Sequence, residues 1–322
     1  MVHPLPSGTR DVLPQEAAEL RQIGDALREV FLARGYGEIH TPALEYEEVM
    51  ARGDLDRLPP AFRLFDEHGN TLILRTEMTT PIARVVASRY ADASLPLRFC
   101  YQATCYRAVR PQRGQSRELV QTGVELIGSP APTGTAEVLS VLVEALAACG
   151  LRRFRVGVGD ASFYPKLMAT LGVPEGIGAG LHATLGRRDL VALEERVRAA
   201  DLPEPAARLL IAAPQLRGDI SLLERLEGEV REAAEGLLRL AELLEGPVLE
   251  RLIFDLGLVR EIGYYTGAVF EVYDPALGQP LGGGGRYDDL LARFGRPLPA
   301  VGFALNLEGL HIALAGEERG ER

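Results

Sequence analysis

The sequence predicts an α+β protein in which an antiparallel sheet, flanked by helices, is interrupted by a helical insertion. Three observations support this class: the chain has 322 residues, short β-branched and aromatic runs occur in both its first and last parts, and residues 171–246 between them have an almost wholly helical pattern. This length exceeds the usual single domain of roughly 100 to 150 residues. We therefore predict a core domain from residues 1–170 and 247–322, with residues 171–246 as an inserted helical subdomain.

The first part of the core is predicted as a helix, several strands and a second helix. After Pro14, apolar residues recur on one helical face up to the stop signal Gly35. These residues are Leu20, Ile23, Leu27, Val30 and Phe31. Strand character follows at 38–46, 62–75 (with a turn at Gly69-Asn70), 97–107 and 117–128. A helix is predicted from Thr133 to Gly150, and residues 154–160 are predicted as a strand.

The insertion is predicted to be helical, and the last part of the core is predicted to contain strands and a closing helix. Behind the predicted cap Asp219, apolar residues have helical spacing: Leu222, Leu223, Leu226, Val230, Leu237 and Leu240. Strand character returns at 251–258 and 267–274. The glycines at 282–285 are predicted as a turn, because glycine adopts positive φ at little cost. Residues 300–305 then lead into a closing helix from Glu308.

Composition narrows the class of function. A formal net charge of −10 with a pI near 5.2 makes nucleic acid a poor partner. Three cysteines without CxxC spacing indicate reduced thiols, and a signal peptide or a run of about 18 apolar residues is missing, so a soluble cytoplasmic protein is expected. The histidines lack metal-ligand spacing, and the single lysine, Lys166, is outside any P-loop pattern. We expect neither a metal nor a cofactor.

Four blocks of sequence, in order, carry a family resemblance. They are LRTEMT at 74–79, YRAVRPQRGQSRELVQTGVELIG at 106–128, LVREIGYYTGAVFE at 258–271 and GGGGRYDDL at 282–290. With these blocks the chain resembles the class II histidyl-tRNA synthetases and their non-catalytic relatives over essentially its whole length. The resemblance implies a class II synthetase-like fold, in which one antiparallel sheet carries a pocket for histidine and ATP.

The resemblance also implies which residues form a histidine pocket: Glu77, Thr79, Arg107, Gln121, Glu125, Arg260, Tyr264 and Tyr265. Glu77 and Thr79 match positions that hold the α-amino group, and Arg107 matches the motif 2 arginine near the α-phosphate and the carboxylate. Arg260 matches the cationic catalyst of the histidine-specific motif. These residue types suit a zwitterion, because carboxylates pair with its ammonium and guanidinium groups with its carboxylate.

Each group of these residues also has an alternative interpretation. The acidic and amide residues could be ordinary half-exposed strand residues, and the two tyrosines could pack in the core. The arginines Arg107, Arg110, Arg113 and Arg117 also fit a solvated basic loop, and the four glycines also fit a phosphate-binding loop.

Three departures from the synthetase pattern argue against adenylation. Val109 stands where an adenine-contacting glutamate is expected, and Gly309 replaces the arginine that clamps the γ-phosphate. The histidine-specific motif reads Arg-Glu-Ile-Gly-Tyr-Tyr at 260–265, instead of Arg-Gly-Leu-Asp-Tyr-Tyr. Losing one such charge-stabilising group costs roughly 10² to 10³ in rate. After Leu310 the sequence also lacks an anticodon-binding domain, so no tRNA is expected.

Taken with these departures, the resemblance implies a non-catalytic regulatory subunit for the first step of histidine biosynthesis. The expected partner is the short-form ATP phosphoribosyltransferase catalytic subunit, which the chain would activate, with L-histidine as the feedback effector. A homodimer of the synthetase-like core within a hetero-oligomer is also expected. The alternatives are a truncated synthetase paralogue that adenylates an amino acid, and a free-standing histidine-binding module.

Overall fold

The computed structural model describes residues 5–53, 60–108, 116–259 and 264–320. Val109, Arg110, Arg113 and the segment 260–263, to which roles were assigned above, lie outside the described residues. Within them, no helix is both long and apolar enough to span a bilayer.

The first part of the chain contains the predicted helices and strands in the predicted order, together with two helices, Glu47–Ala51 and Thr79–Arg89, that were not predicted. Its elements are α1 (Pro14–Ala33), β1 (Gly37–Glu38), β2 (Leu44–Tyr46), α2 (Glu47–Ala51), β3 (Arg63–Phe65), β4 (Thr71–Leu74), α3 (Thr79–Arg89), β5 (Leu97–Tyr106), β6 (Glu118–Ile127), α4 (Thr133–Ala148) and β7 (Arg155–Asp160). The predicted face of α1 is buried at Leu20, Ile23, Leu27 and Phe31. Gly35 follows α1 with φ of 82°, as its role as a helix stop requires.

The middle of the chain is helical, as its pattern predicts. It contains α5 (Phe163–Thr170), α6 (Glu175–Gly186), α7 (Leu190–Ala199), α8 (Glu204–Ala212), the two-residue strand β8 (Arg217–Gly218), α9 (Ile220–Glu224), α10 (Gly228–Ala233), α11 (Glu235–Ala241) and α12 (Gly246–Leu249). The carboxylate of Asp219 accepts a hydrogen bond from the Ser221 backbone at 3.0 Å and so caps α9. Strand β8 pairs with the large sheet, and buried apolar residues of these helices belong to the same hydrophobic cluster as residues of the sheet. The division into a core and an inserted subdomain stays a prediction.

The last part of the chain adds four strands to the large sheet and the closing helix: β9 (Leu252–Asp255), β10 (Ala268–Tyr273), β11 (Gly282–Arg286), β12 (Ala300–Asn306) and α13 (Leu307–Glu318). The large sheet has nine strands in the order β1-β5-β6-β12-β11-β10-β7-β9-β8. Its centre is antiparallel, while β1 with β5 and β7 with β9 are parallel pairs. A small sheet has the order β2-β4-β3. Helices α1, α4 and α13 pack against the large sheet.

The four glycines at 282–285 form a strand, so the predicted turn is wrong. They belong to β11, which pairs with β10 on one side and with β12 on the other. The reason is space: a Cβ atom on Gly284 would lie 1.9 Å from the carbonyl oxygen of Gly302. The glycines therefore permit a close approach of neighbouring backbones and leave the middle of the sheet without side chains.

Candidate functional site

A cleft of about 1190 Å³ opens above the middle of the large sheet. Its walls include every predicted pocket residue that the structure describes: Glu77, Thr79, Arg107, Gln121, Glu125, Tyr264 and Tyr265. The eighth, Arg260, lies outside the described residues. The floor contains Gly282, Gly283 and Gly284 of β11 together with Gly302 of β12. The structure thus brings together residues from five separate parts of the sequence.

Glu77 lies at the start of α3, where backbone N–H groups are otherwise unpaired. Its carboxylate accepts hydrogen bonds from the backbone of Thr79 and, at 3.0 Å, from the backbone of Thr80. A carboxylate is favoured at this end of a helix by the helix dipole. Burial raises the pKa of Glu77 above its ordinary value, although these hydrogen bonds oppose the shift. Glu77 is therefore held in place and is costly to keep charged.

Glu125 is the most enclosed acid of the cleft, with 1% of its surface exposed. Its Oε1 accepts a hydrogen bond from the hydroxyl of Thr79 at 2.7 Å, and its Oε2 accepts one from the hydroxyl of Tyr287. Burial raises the pKa of Glu125 to about 8, because these two bonds offset only part of the desolvation. Gly302 leaves room for the carboxylate, since a Cβ atom there would lie 1.9 Å from Glu125 Oε2.

Tyrosine rings form one wall of the cleft. The ring centroids of Tyr264 and Tyr265 are 5.1 Å apart, and those of Tyr264 and Tyr287 are 5.7 Å apart. Tyr264 is buried, as the core-packing alternative predicts, whereas Tyr265 is half-buried. Both tyrosines line the cleft. Tyr287 and the buried Tyr101, which also line the cleft, were missed as site residues. Tyr287 lies in the GGGGRYDDL block, but only the fold shows that its hydroxyl reaches Glu125.

Arg107 directly follows the last residue of β5, and Gln121 lies within β6, opposite Ala103 of β5. The backbone N–H of Arg107 donates to the Arg117 carbonyl at 2.8 Å, which fixes where the arginine leaves the strand. Gln121 is nearly buried, and its Oε1 accepts a hydrogen bond from the Cys105 thiol at 3.2 Å. Arg117 does not line the cleft; its guanidinium lies over the ring of Phe62, 5.8 Å from the centroid. The basic loop therefore contributes Arg107 to the cleft and Arg117 to packing.

The outer part of the cleft is formed by α1, α13 and the turn after α6. Gly309 lies in the first turn of α13, where the Asn306 side chain accepts hydrogen bonds from the backbone N–H groups of Glu308 and Gly309. Burial raises the pKa of Glu308. Across the cleft, Arg188 forms an ion pair with Glu271 at 2.7 Å. Sequence reasoning missed Arg188 because its turn belongs to the helical block and reaches the cleft only through folding.

The sheet and its cleft define a protein of the class II synthetase-like fold. The family model for histidyl-tRNA synthetase matches residues 8–310. A protein from Symbiobacterium thermophilum named ATP phosphoribosyltransferase regulatory subunit is 43% identical, over 98% of this chain and 80% of its own length. The chain belongs to the histidyl-tRNA synthetase family and, within it, to the ATP phosphoribosyltransferase regulatory subunits.

Solved structures agree with this assignment. A structure titled ATP phosphoribosyltransferase regulatory subunit/histidyl-tRNA synthetase, from Bacillus halodurans, matches with a TM-score of 0.89 and 36% identity, over 97% of this chain and 84% of that one. A histidyl-tRNA synthetase from Nostoc sp. matches with a TM-score of 0.79 and 20% identity, over 99% of this chain and 76% of that one, which supports the fold alone. The predicted fold class and the predicted family are confirmed. The comparisons favour a regulatory subunit over an adenylating paralogue, while the roles of individual pocket residues stay predictions.

Proposed function

We propose that this chain carries out no chemistry itself, activates the short-form ATP phosphoribosyltransferase catalytic subunit, and binds L-histidine in the cleft as a feedback effector. The observation that carries the histidine part is the pair Glu77 and Glu125. Both carboxylates line one cleft, both have raised pKa values, and their hydrogen bonds come from hydroxyl and backbone N–H groups. An ammonium group would supply the positive charge that stabilises both carboxylates in their ionised form.

The outer cleft supports a sensor that does not consume its ligand. Gly309 offers no side chain to a phosphate, and the Asn306 amide oxygen already takes the N–H groups of Glu308 and Gly309. The ionised form of Glu308 would also repel a triphosphate. A chain that binds histidine and leaves it unchanged can report its concentration, provided that histidine binds two states of the complex with different affinities.

The first test is the activity of the short catalytic subunit with and without this chain, followed by titration with L-histidine. We expect the chain to activate the enzyme and histidine to reverse the activation. Absence of activation at saturating chain would contradict the proposal. Histidine-dependent exchange of pyrophosphate into ATP would then decide whether the chain is an adenylating paralogue.

We further propose that two copies associate through the open face of the small sheet. The register pairs Leu44 with Leu74, and both Tyr46 and Leu64 with Leu72, so these five apolar side chains share one face. Leu44, Tyr46 and Leu64 are exposed. In a two-fold dimer the same patch meets itself, so an uncharged apolar face is self-complementary. Because the chain has a net charge of −10, two copies repel each other at charged surfaces, and an apolar contact face avoids this repulsion.

Replacing Leu64 with aspartate is expected to convert the dimer into a monomer at micromolar concentration. The new carboxylates would be buried without partners near the two-fold axis, which costs several kcal/mol, or on the order of 10²-fold or more in the dimer dissociation constant. Sedimentation velocity measures this change. The control is Val191→Asp, because Val191 is exposed and apolar but lies on α7. A Leu64→Asp protein that stays dimeric would place the interface elsewhere.

A further inference from the structure

Thr76 is a buried polar residue of the cleft that the preceding assignments do not use. It is 1% exposed and contributes to the cleft wall. Within the part of the chain that the structure describes, its hydroxyl has no hydrogen-bond partner. Buried hydroxyl groups are nearly always hydrogen-bonded, because leaving one unpaired is destabilising. This buried hydroxyl of the cleft wall is therefore a candidate hydrogen-bond donor to a bound molecule.

The position of Thr76 is fixed by the preceding residue. Arg75 is 8% exposed, and its guanidinium donates to the carbonyl oxygens of Thr41 at 2.6 Å and Thr104 at 2.9 Å. Its own carbonyl accepts a hydrogen bond from the Tyr106 backbone at 2.9 Å. This anchoring joins the segment of Thr76 to the end of β5, directly before Arg107. A contact made by Thr76 is therefore preorganised.

We infer that the Thr76 hydroxyl donates a hydrogen bond to the α-carboxylate of the bound amino acid and so acts as a specificity-determining contact. The inference rests on the proposed function. Glu77, which follows Thr76 in the chain, is the proposed partner of the ammonium, and Arg107 is the proposed partner of the carboxylate. Thr76 thus directly precedes Glu77 and directly follows Arg75, whose carbonyl is bonded to Tyr106, the residue before Arg107. A hydroxyl donor on this segment would complement the guanidinium.

The test compares L-histidine with histamine, which lacks the carboxylate, by isothermal titration calorimetry on the full chain. Thr76→Val is expected to weaken histidine binding about 10- to 100-fold, the range for losing a hydrogen bond to a charged group. Histamine binding should not change. The melting temperature without ligand should not fall, because valine removes an unpaired hydroxyl and keeps the shape of the side chain.

Two further variants complete the experiment. Thr184 is fully buried outside the cleft, and its hydroxyl donates to the Gly180 carbonyl at 2.9 Å. Thr184→Val should therefore lower the melting temperature and leave histidine affinity unchanged. Thr76→Ser retains a hydroxyl and should bind histidine within a few-fold of the natural chain, which keeps the inference testable if the valine variant fails to fold.

The outcomes separate this inference from the proposed function. If the natural chain binds no histidine, the proposed cleft ligand is wrong and the inference falls with it. If the natural chain and Thr76→Val bind histidine equally, the hydroxyl makes no ligand contact, although histidine can still occupy the cleft. An equal loss of histidine and histamine would mean that Thr76 does not recognise the carboxylate.

Discussion

Replacing Glu125 with glutamine is expected to weaken L-histidine binding on the order of 10²- to 10³-fold and to shift feedback inhibition of the assembled complex to correspondingly higher histidine. The substitution keeps the volume of the side chain and removes one of the two cleft carboxylates proposed to hold the ammonium. Removing one partner of a buried, hydrogen-bonded charge pair typically costs about 2 to 5 kcal/mol, a range that includes this loss of affinity. Calorimetry and inhibition curves measure the two effects.

The matched control is Glu118→Gln, because Glu118 is an exposed carboxylate on the same strand, outside the cleft lining. It should retain both histidine affinity and inhibition. If Glu125→Gln also retained them, histidine would have to bind at another place, such as the contact with the catalytic subunit. If Glu125→Gln lost histidine binding while inhibition persisted, the cleft would not be the regulatory site.

The second large effect concerns stability and pH. The pKa of Glu125 is raised to about 8 in the folded chain from an ordinary value of 4.5. Between these values the folded state holds a proton that the unfolded state has released, so this residue's contribution to stability falls as pH rises. Each pKa unit corresponds to about 1.4 kcal/mol, so the whole window corresponds to a free energy on the order of 5 kcal/mol.

Glutamine cannot lose a proton, so Glu125→Gln removes this contribution. The free energy of unfolding of the variant, relative to the natural chain, should rise steadily from pH 5 to pH 8.5. Urea denaturation at several pH values measures this difference. Other acids whose pKa values are shifted and that do not interact with Glu125, such as Glu308, remain in both proteins and so cancel in the comparison. Parallel curves for the two proteins would show that Glu125 stays ionised in the folded chain.

Sequence patterns sufficed where a residue's role depends on its near neighbours. The buried face of α1 follows from helical periodicity, and the Asp219 cap from the local preference of a helix start. The pocket residues were predicted by another route, from the resemblance of four ordered sequence blocks to one family. The structure places the described members of that set around one cleft, although each block alone is a weak signal.

The failures share a physical cause, which is dependence on contacts between distant residues. The glycines of β11 look like a turn until β12 lies beside them, because only the nearby Gly302 carbonyl explains why a Cβ atom is excluded. The bond from Tyr287 to Glu125 spans 162 residues, and the Arg188 ion pair spans 83. Periodicity and turn preferences contain no information at such separations.

The anchoring of Arg75 has a consequence for measurements at different protein concentrations. Strand β4 ends at Leu74, on the proposed dimer face, and Glu77 follows only three residues later. Arg75 fixes the connection between them with hydrogen bonds to Thr41 and Thr104. If histidine binding at Glu77 moves β4 through this fixed connection and so changes the proposed dimer face, reciprocity requires that dimer formation and histidine affinity change each other by the same factor. The abundance of the chain in the cell would then set its sensitivity to histidine.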